Sequence, residues 1–162
     1  MEVKVYEELN HPAVLEEVFS SVAGMNKLEI RELIAEVETA IQLGEQIEVP
    51  VVHHFSQDVY AREMVLPEGS LIVGKIHRFE NLNILSKGEV SILSIDGVKR
   101  IKAPHTFVGS VGAKRVILAH TDVVWTTIHG TDEKDVDQIE EKFIAKNYEQ
   151  IEDIITIQKG DA

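Results

Sequence analysis

No cysteine occurs among the 162 residues, so neither a disulfide framework nor a thiolate for nucleophilic or zinc chemistry is available. Stability has to come from packing or from assembly. No run of about 18 apolar residues is present, which argues against a membrane-spanning helix, and the opening segment MEVKVY has neither the basic nor the apolar part of a secretory leader. Nucleophile elbow, P-loop and dinucleotide glycine fingerprint are all missing. The glycine-rich Gly109-Ser110-Val111-Gly112 lies between expected strands and reads as a turn. No internal repeat or low-complexity segment is visible.

Basic residues are also scarce, 16 against 28 acids for a net charge of −12. The acidity sits in the flanks: residues 1–46 hold ten acids and three bases, residues 132–162 ten acids and four bases, while 47–131 hold eight acids and nine bases. Acidic flanks repel phosphate backbones, so nucleic acid is not an expected partner. The cluster Lys99, Arg100 and Lys102 reads as a solvated hairpin end.

The length suits one domain with appendages. Residues 11–24 predict a helix with Pro12 in its first turn, a stripe of Val14, Leu15, Val18, Phe19 and Val22, and Gly24 at its close. A second helix follows at once, with Asn26 and Glu29 as a capping box, Ile30, Leu33, Ile34, Val37 and Ile41 at helical spacing, and Gly44 as its stop. This helical hairpin is expected either to cover the body of the protein or to meet another subunit. It carries more apolar surface than a small barrel is expected to cover, so an oligomer with Phe19, Ile34 or Val37 at its contacts is anticipated.

From Ile47 the pattern turns to short β-branched runs: 48–52, 61–65, 71–77, 82–85, 90–95, 98–101, 116–118 and 123–128. Asp96-Gly97 reads as a two-residue hairpin turn, and Pro67-Glu68-Gly69 and Lys87-Gly88 punctuate in the same way. Many short, regularly spaced strands predict an all-β sandwich or jelly-roll barrel. Trp125 is expected in its core. After Thr131, taken as an N-cap, Val136, Ile139, Phe143 and Ile144 predict a third, acidic helix. Residues 151–157 either continue it or form a closing strand. The domains read as a helical appendage (1–46), a barrel (47–131) and an acidic helix with tail (132–162).

The run from Gly69 to Gly88 keeps the spacing of the first cupin motif, and the chain resembles the cupin superfamily. In that motif the two histidine positions fall on Lys75 and His77, the glutamate on Asn81 and the closing glycine on Gly88. In the second motif, Ser110, Gly112, Arg115 and Ala119 stand where the family has proline, glycine, histidine and asparagine. Residues 109–132 also resemble small uncharacterised cupin-like proteins of tailed bacteriophages. The resemblance implies a double-stranded β-helix, a jelly-roll barrel, with the helical hairpin and C-terminal helix as additions. It also implies a metal centre of which only His77 survives, so neither metal nor other cofactor is expected.

Lys75 and His77 share strand parity. With Asn81 and Arg115 they form the candidate anion or ligand site, with pairing of the cations to Glu80, Glu63 or Glu68 as the alternative. His53 and His54 are adjacent and face opposite ways, so they do not share an ion. Whether His105, His120 or His129 rebuild a metal site beside His77 stays open. The preferred reading is a non-catalytic binding or assembly protein, a homo-oligomer located in the host cytoplasm or in a virion with other virion proteins as partners, and without membrane or nucleic-acid contacts. The alternative is a metal-independent isomerase- or epimerase-like cupin enzyme with His77 as base, Lys75 or Arg115 holding an anionic or sugar-derived substrate, and Tyr60 or Tyr148 as acid.

Overall fold

The computed structural model describes residues 12–152; the expected strand or helix over 153–157 lies outside them. Two helices come first, α1 (Pro12–Ser21) and α2 (Lys27–Leu43). The capping box sets the start of α2: the Asn26 side chain accepts from the Glu29 amide at 3.0 Å, and the Glu29 carboxylate accepts from the Asn26 amide at 2.7 Å. Two otherwise orphaned donors are satisfied. At the far end the Gly44 amide donates to the Ile41 carbonyl.

Ten strands follow: β1 (Val51–Ser56), β2 (Val59–Leu66), β3 (Leu71–Val73), β4 (Ile76–His77), β5 (Asn81–Lys87), β6 (Glu89–Ser94), β7 (Gly97–Lys102), β8 (His105–Gly109), β9 (Val116–Ala119) and β10 (Val123–Gly130). Helix α3 (Val136–Phe143), the short strand β11 (Ile144–Ala145) and a 3-10 turn (Tyr148–Ile151) close the described chain. One sheet has the order β1-β2-β10-β5-β8, the other β3-β9-β6-β7, and β11 pairs with β4. Every pairing is antiparallel.

With β2, β3, β5, β6, β7, β8, β9 and β10 counted as eight core strands, the sheet orders are first-eighth-third-sixth and second-seventh-fourth-fifth. The chain therefore alternates between two facing sheets, as a jelly roll does. The fold is an all-β, cupin-type double-stranded β-helix with helices added at both ends. Alternation along each strand sends Leu66, Leu85, Val90 and Val123 inward, where they are wholly buried together with Trp125.

The helical hairpin lies on the outer face of the β3-β9-β6-β7 sheet. Its stripes pack with Leu93 and Val116, both fully buried. This corrects the expected oligomer contact: Phe19, Ile34 and Val37 are 9%, 1% and 1% exposed within the single chain. Lys114, on the loop before β9, pairs with Glu38 of α2 and ties the hairpin down at one edge.

Three local expectations are also corrected. The β6–β7 register pairs Ser94 with Gly97, so the two-residue turn is Ile95-Asp96, and Gly97 opens β7 at φ +103°. The N-cap of α3 is Asp135, which accepts from the Asp137 and Gln138 amides, whereas Thr131 accepts from the Glu133 amide in the preceding turn. Strand β8, absent from the expected runs, forms the edge of the five-stranded sheet.

Gly88 ends the first motif at φ +94°, and a Cβ there would stand 2.3 Å from the Asp122 carbonyl oxygen. Gly97 has a similar φ, +103°, with open space around it. Gly88→Ala should therefore lower stability by roughly 3 kcal/mol or more, combining left-handed strain with a backbone clash, while Gly97→Ala should cost about 1 kcal/mol. Urea unfolding of the two variants checks this. Equal losses would mean that the Gly88–Asp122 approach does not constrain the barrel.

Candidate functional site

Of the four motif positions, His77, Asn81 and Arg115 reach the barrel interior, and they do not converge as metal ligands. Lys75 stands at the mouth, where its ammonium pairs with Glu140 of α3 rather than with Glu80, Glu63 or Glu68. Its side chain is 62% exposed, so this is a clamp on the rim and not an inner ligand. His77, on β4, is half-buried. Its backbone is held on both sides: the Gly112 amide donates to the His77 carbonyl at 2.7 Å, and β11 pairs Ile144 with His77.

Asn81 and Asn83 share the inward face of β5 and are 4% and 1% exposed. Asn83 is the hub of a buried network. Its Oδ1 accepts from Trp125 Nε1 at 3.0 Å and from Thr127 Oγ1 at 3.2 Å, and its Nδ2 donates to Asn81 Oδ1 at 2.7 Å. Asn81 Nδ2 in turn reaches the Phe79 carbonyl at 3.3 Å. Polar groups taken from water need such partners, and here amide, indole and hydroxyl supply them to one another. Asn83 was not among the sequence candidates.

His129, inward on β10, stacks on His77 with ring centroids 5.7 Å apart and an interplanar angle of 20°. Tyr60 stacks on its other neighbour side at 6.3 Å, and Phe143 of α3 covers it at 4.5 Å. Helix α3 thus closes this end of the barrel, with Ile139 and Phe143 packed against Tyr60. Burial, the other imidazole, and the Arg115 and Arg62 guanidiniums lower the His77 pKa to about 4; burial and Arg62 lower that of His129 to about 4. Both rings are neutral at pH 7, and Nδ1 of each is buried without a hydrogen-bond partner among the described residues.

The structure separates the remaining histidines from this pair. His120 shares a hydrogen bond with Ser91 Oγ at 2.7 Å, and His105 is exposed on β8 beside Phe107. His53 bonds the Tyr60 hydroxyl at 2.7 Å, while Tyr148 lies under the Arg31 guanidinium at 4.1 Å. Tyr60 is therefore beside His129 but has its hydroxyl engaged, and Tyr148 packs elsewhere. Among the described residues, no acid stands beside His77 to complete the general-base arrangement.

Arg115 comes in beside the asparagines, across the Gly109 backbone. Its guanidinium is 5.4 Å from the centre of the Phe107 ring. Gly109 makes room for it, since a Cβ there would fall 2.7 Å from both Arg115 Nη2 and Asn81 Oδ1. Burial lowers its pKa from the ordinary guanidinium value, and Asp96 opposes that shift from a distance.

A resident metal of the usual cupin kind does not fit these residues. Lys75 is tied to α3, Asn81 to the amide network, and Arg115 brings a positive charge. Among the described residues, no group of three or more His, Asp or Glu side chains is placed to hold an ion.

No family model and no curated protein matches the chain. Solved structures with a similar fold include a cupin domain from Bordetella pertussis, at 14% identity over 54% of this chain and 98% of that one with TM-score 0.43. An RmlC-like cupin from Shewanella frigidimarina matches at 16% identity over 58% of this chain and 91% of that one, TM-score 0.45. An uncharacterised Klebsiella pneumoniae protein with a double-stranded β-helix domain matches at 11% identity over 57% and 80%, TM-score 0.47. These are likenesses of fold. The jelly-roll assignment rests on the strand order and register of the chain itself.

The histidine pair makes stability pH-dependent with a definite sign. Folded pKa values near 4 lie below the ordinary 6.5, so the unfolded chain binds more protons between those limits. The stabilisation is complete above about pH 6.5 and is lost as pH falls toward about 4, by a few kcal/mol in all. His129→Leu breaks no hydrogen bond among the described residues and should flatten the decline between pH 7 and pH 5. An identical slope in wild type and variant, by urea unfolding, would place the acid sensitivity elsewhere.

Proposed function

We propose that the chain is a non-catalytic jelly-roll protein that assembles with copies of itself. The observation that carries this is the bare outer face of the five-stranded sheet. Ala61, Ile128, Leu82 and Val108 line up in register across β2, β10, β5 and β8, and Leu82 and Val108 are 45% and 59% exposed. The neighbouring row runs Glu63, Thr126, Ile84, Thr106. The other sheet has its outer face covered by the hairpin; this one has no such cover among the described residues.

Charge favours a second copy as the occupant. The chain carries −12, yet Glu63 is the sole acid in these two rows and it is paired with His54 at 3.6 Å. Two like-charged bodies meet with least repulsion through such a face, whereas a basic partner would find nothing there to pair with. The non-catalytic part of the reading is supported by the engagement of Lys75 and Asn81 and by neutral His77 without an acid partner. The likeness of residues 109–132 to phage-encoded cupin-like proteins supports a phage setting, in a virion or as an accessory protein. Among the described residues no helix is long and apolar enough to cross a membrane.

Light scattering at micromolar concentration tests self-assembly. The full chain should be a dimer or larger, and Leu82→Glu with Val108→Glu should give a monomer with little change in melting temperature, because both positions are on the surface. A monomeric wild type overturns the proposal. An oligomer that survives the double substitution moves the interface off this sheet and overturns it as well.

A further inference from the structure

Beside Arg115 lies a cavity of about 200 Å³, bounded by β6, β7, β8 and the loop leading to β9. Its apolar wall is made by Ile92, Ile101, Phe107 and Val111; Asp96 and Lys99 stand exposed at its rim, and Lys114 also reaches it but is paired with Glu38. It is separate from the histidine pair, which is absent from its lining. The one residue it shares with the bare face is Val108.

The chemistry of the cavity is defined by a cation without a counter-ion. The ion pairs formed among the described residues are Lys75–Glu140, Arg100–Glu89 and Lys114–Glu38, with a further contact between His54 and Glu63, and Arg115 is in none of them. Asp96 acts on it only beyond contact. A guanidinium withdrawn from water is costly unless an anion and hydrogen-bond acceptors meet it. The Gly109 notch and the Phe107 ring hold this one in a set position instead of letting it swing to solvent.

The geometry points to a binding site for a compact monocarboxylate, its charge on Arg115 and its apolar body against Phe107, Ile92 and Ile101. The planar fork of arginine matches a carboxylate through two parallel hydrogen bonds. One uncommitted cation balances a single negative charge, whereas a doubly charged phosphate would call for a second; Lys114 is committed to Glu38 and Lys99 is exposed. Size agrees as well: an apolar cavity of about 150 Å³ accepts benzene, so this one has room for a ring and its carboxylate.

Calorimetric titration of the full chain at pH 7 with benzoate, benzyl alcohol and inorganic phosphate tests the site. Benzoate should bind at least about tenfold more tightly than either of the others, and Arg115→Met should abolish that preference. Ala113→Leu, which narrows the cavity while keeping Arg115, should also weaken benzoate by about tenfold and serves if the arginine variant fails to fold. No benzoate binding, equal binding of benzyl alcohol or of phosphate, or full benzoate affinity in either folded variant would overturn the inference.

Discussion

The interior of this barrel depends on the need of buried polar groups for partners. Asn83 is almost fully buried at the junction of β5 and β10, and it takes hydrogen bonds from Trp125 and Thr127 while giving one to Asn81. Removing any member leaves another unsatisfied in a low-dielectric setting, which costs about 1–3 kcal/mol per group. The network therefore holds Trp125 in the core, fixes the inward register of β5, and occupies Asn81, which falls at the glutamate position of the first cupin motif.

Everything on either side of the asparagines follows from that division. Toward one end, the neutral His77–His129 stack is roofed by Phe143, and Lys75 clamps α3 over it through Glu140. Beside the asparagines, Arg115 lines a cavity that the amide network does not neutralise. A metal centre needs several donors converging on one point with room for substrate. Here the donors are distributed between a sealed stack, a closed amide chain and a cationic cavity.

Much of the architecture was legible because it is local. The capping box at Asn26 and Glu29, the left-handed turn at Gly88 and the alternating strands are set by residues close together in sequence. Strand β8 was overlooked: in His105-Thr106-Phe107-Val108-Gly109 the strand-favouring core is only three residues long, between Pro104 and Gly109, and most of it is exposed at the sheet edge. The packing of the hairpin was misjudged because local periodicity shows that a helix face is apolar without showing how much sheet surface waits for it. Leu93 and Val116 are both apolar residues in strands that also face the barrel core, and their outward turn emerges only from the register.

The site was legible by position and opaque in its geometry. His77, Asn81 and Arg115 do reach the interior, but motif spacing says nothing of Glu140, 65 positions after Lys75, which draws Lys75 to the rim. Asn83 was overlooked because Leu82 and Ile84 mark the strand, and on this sheet it is those apolar residues that face outward. The period-two pattern Asn81, Asn83, Leu85 was the available signal, a polar pair on one face with a core residue.

The barrel interior is held together by its own side chains and calls for no metal. Thermal unfolding at pH 7 in excess manganese, iron(II), nickel or zinc, each against chelator, tests this directly, because any ion bound to the native state raises stability by mass action. The same melting temperature is predicted in every case. A rise with one of these ions that disappears in His77→Phe would contradict it.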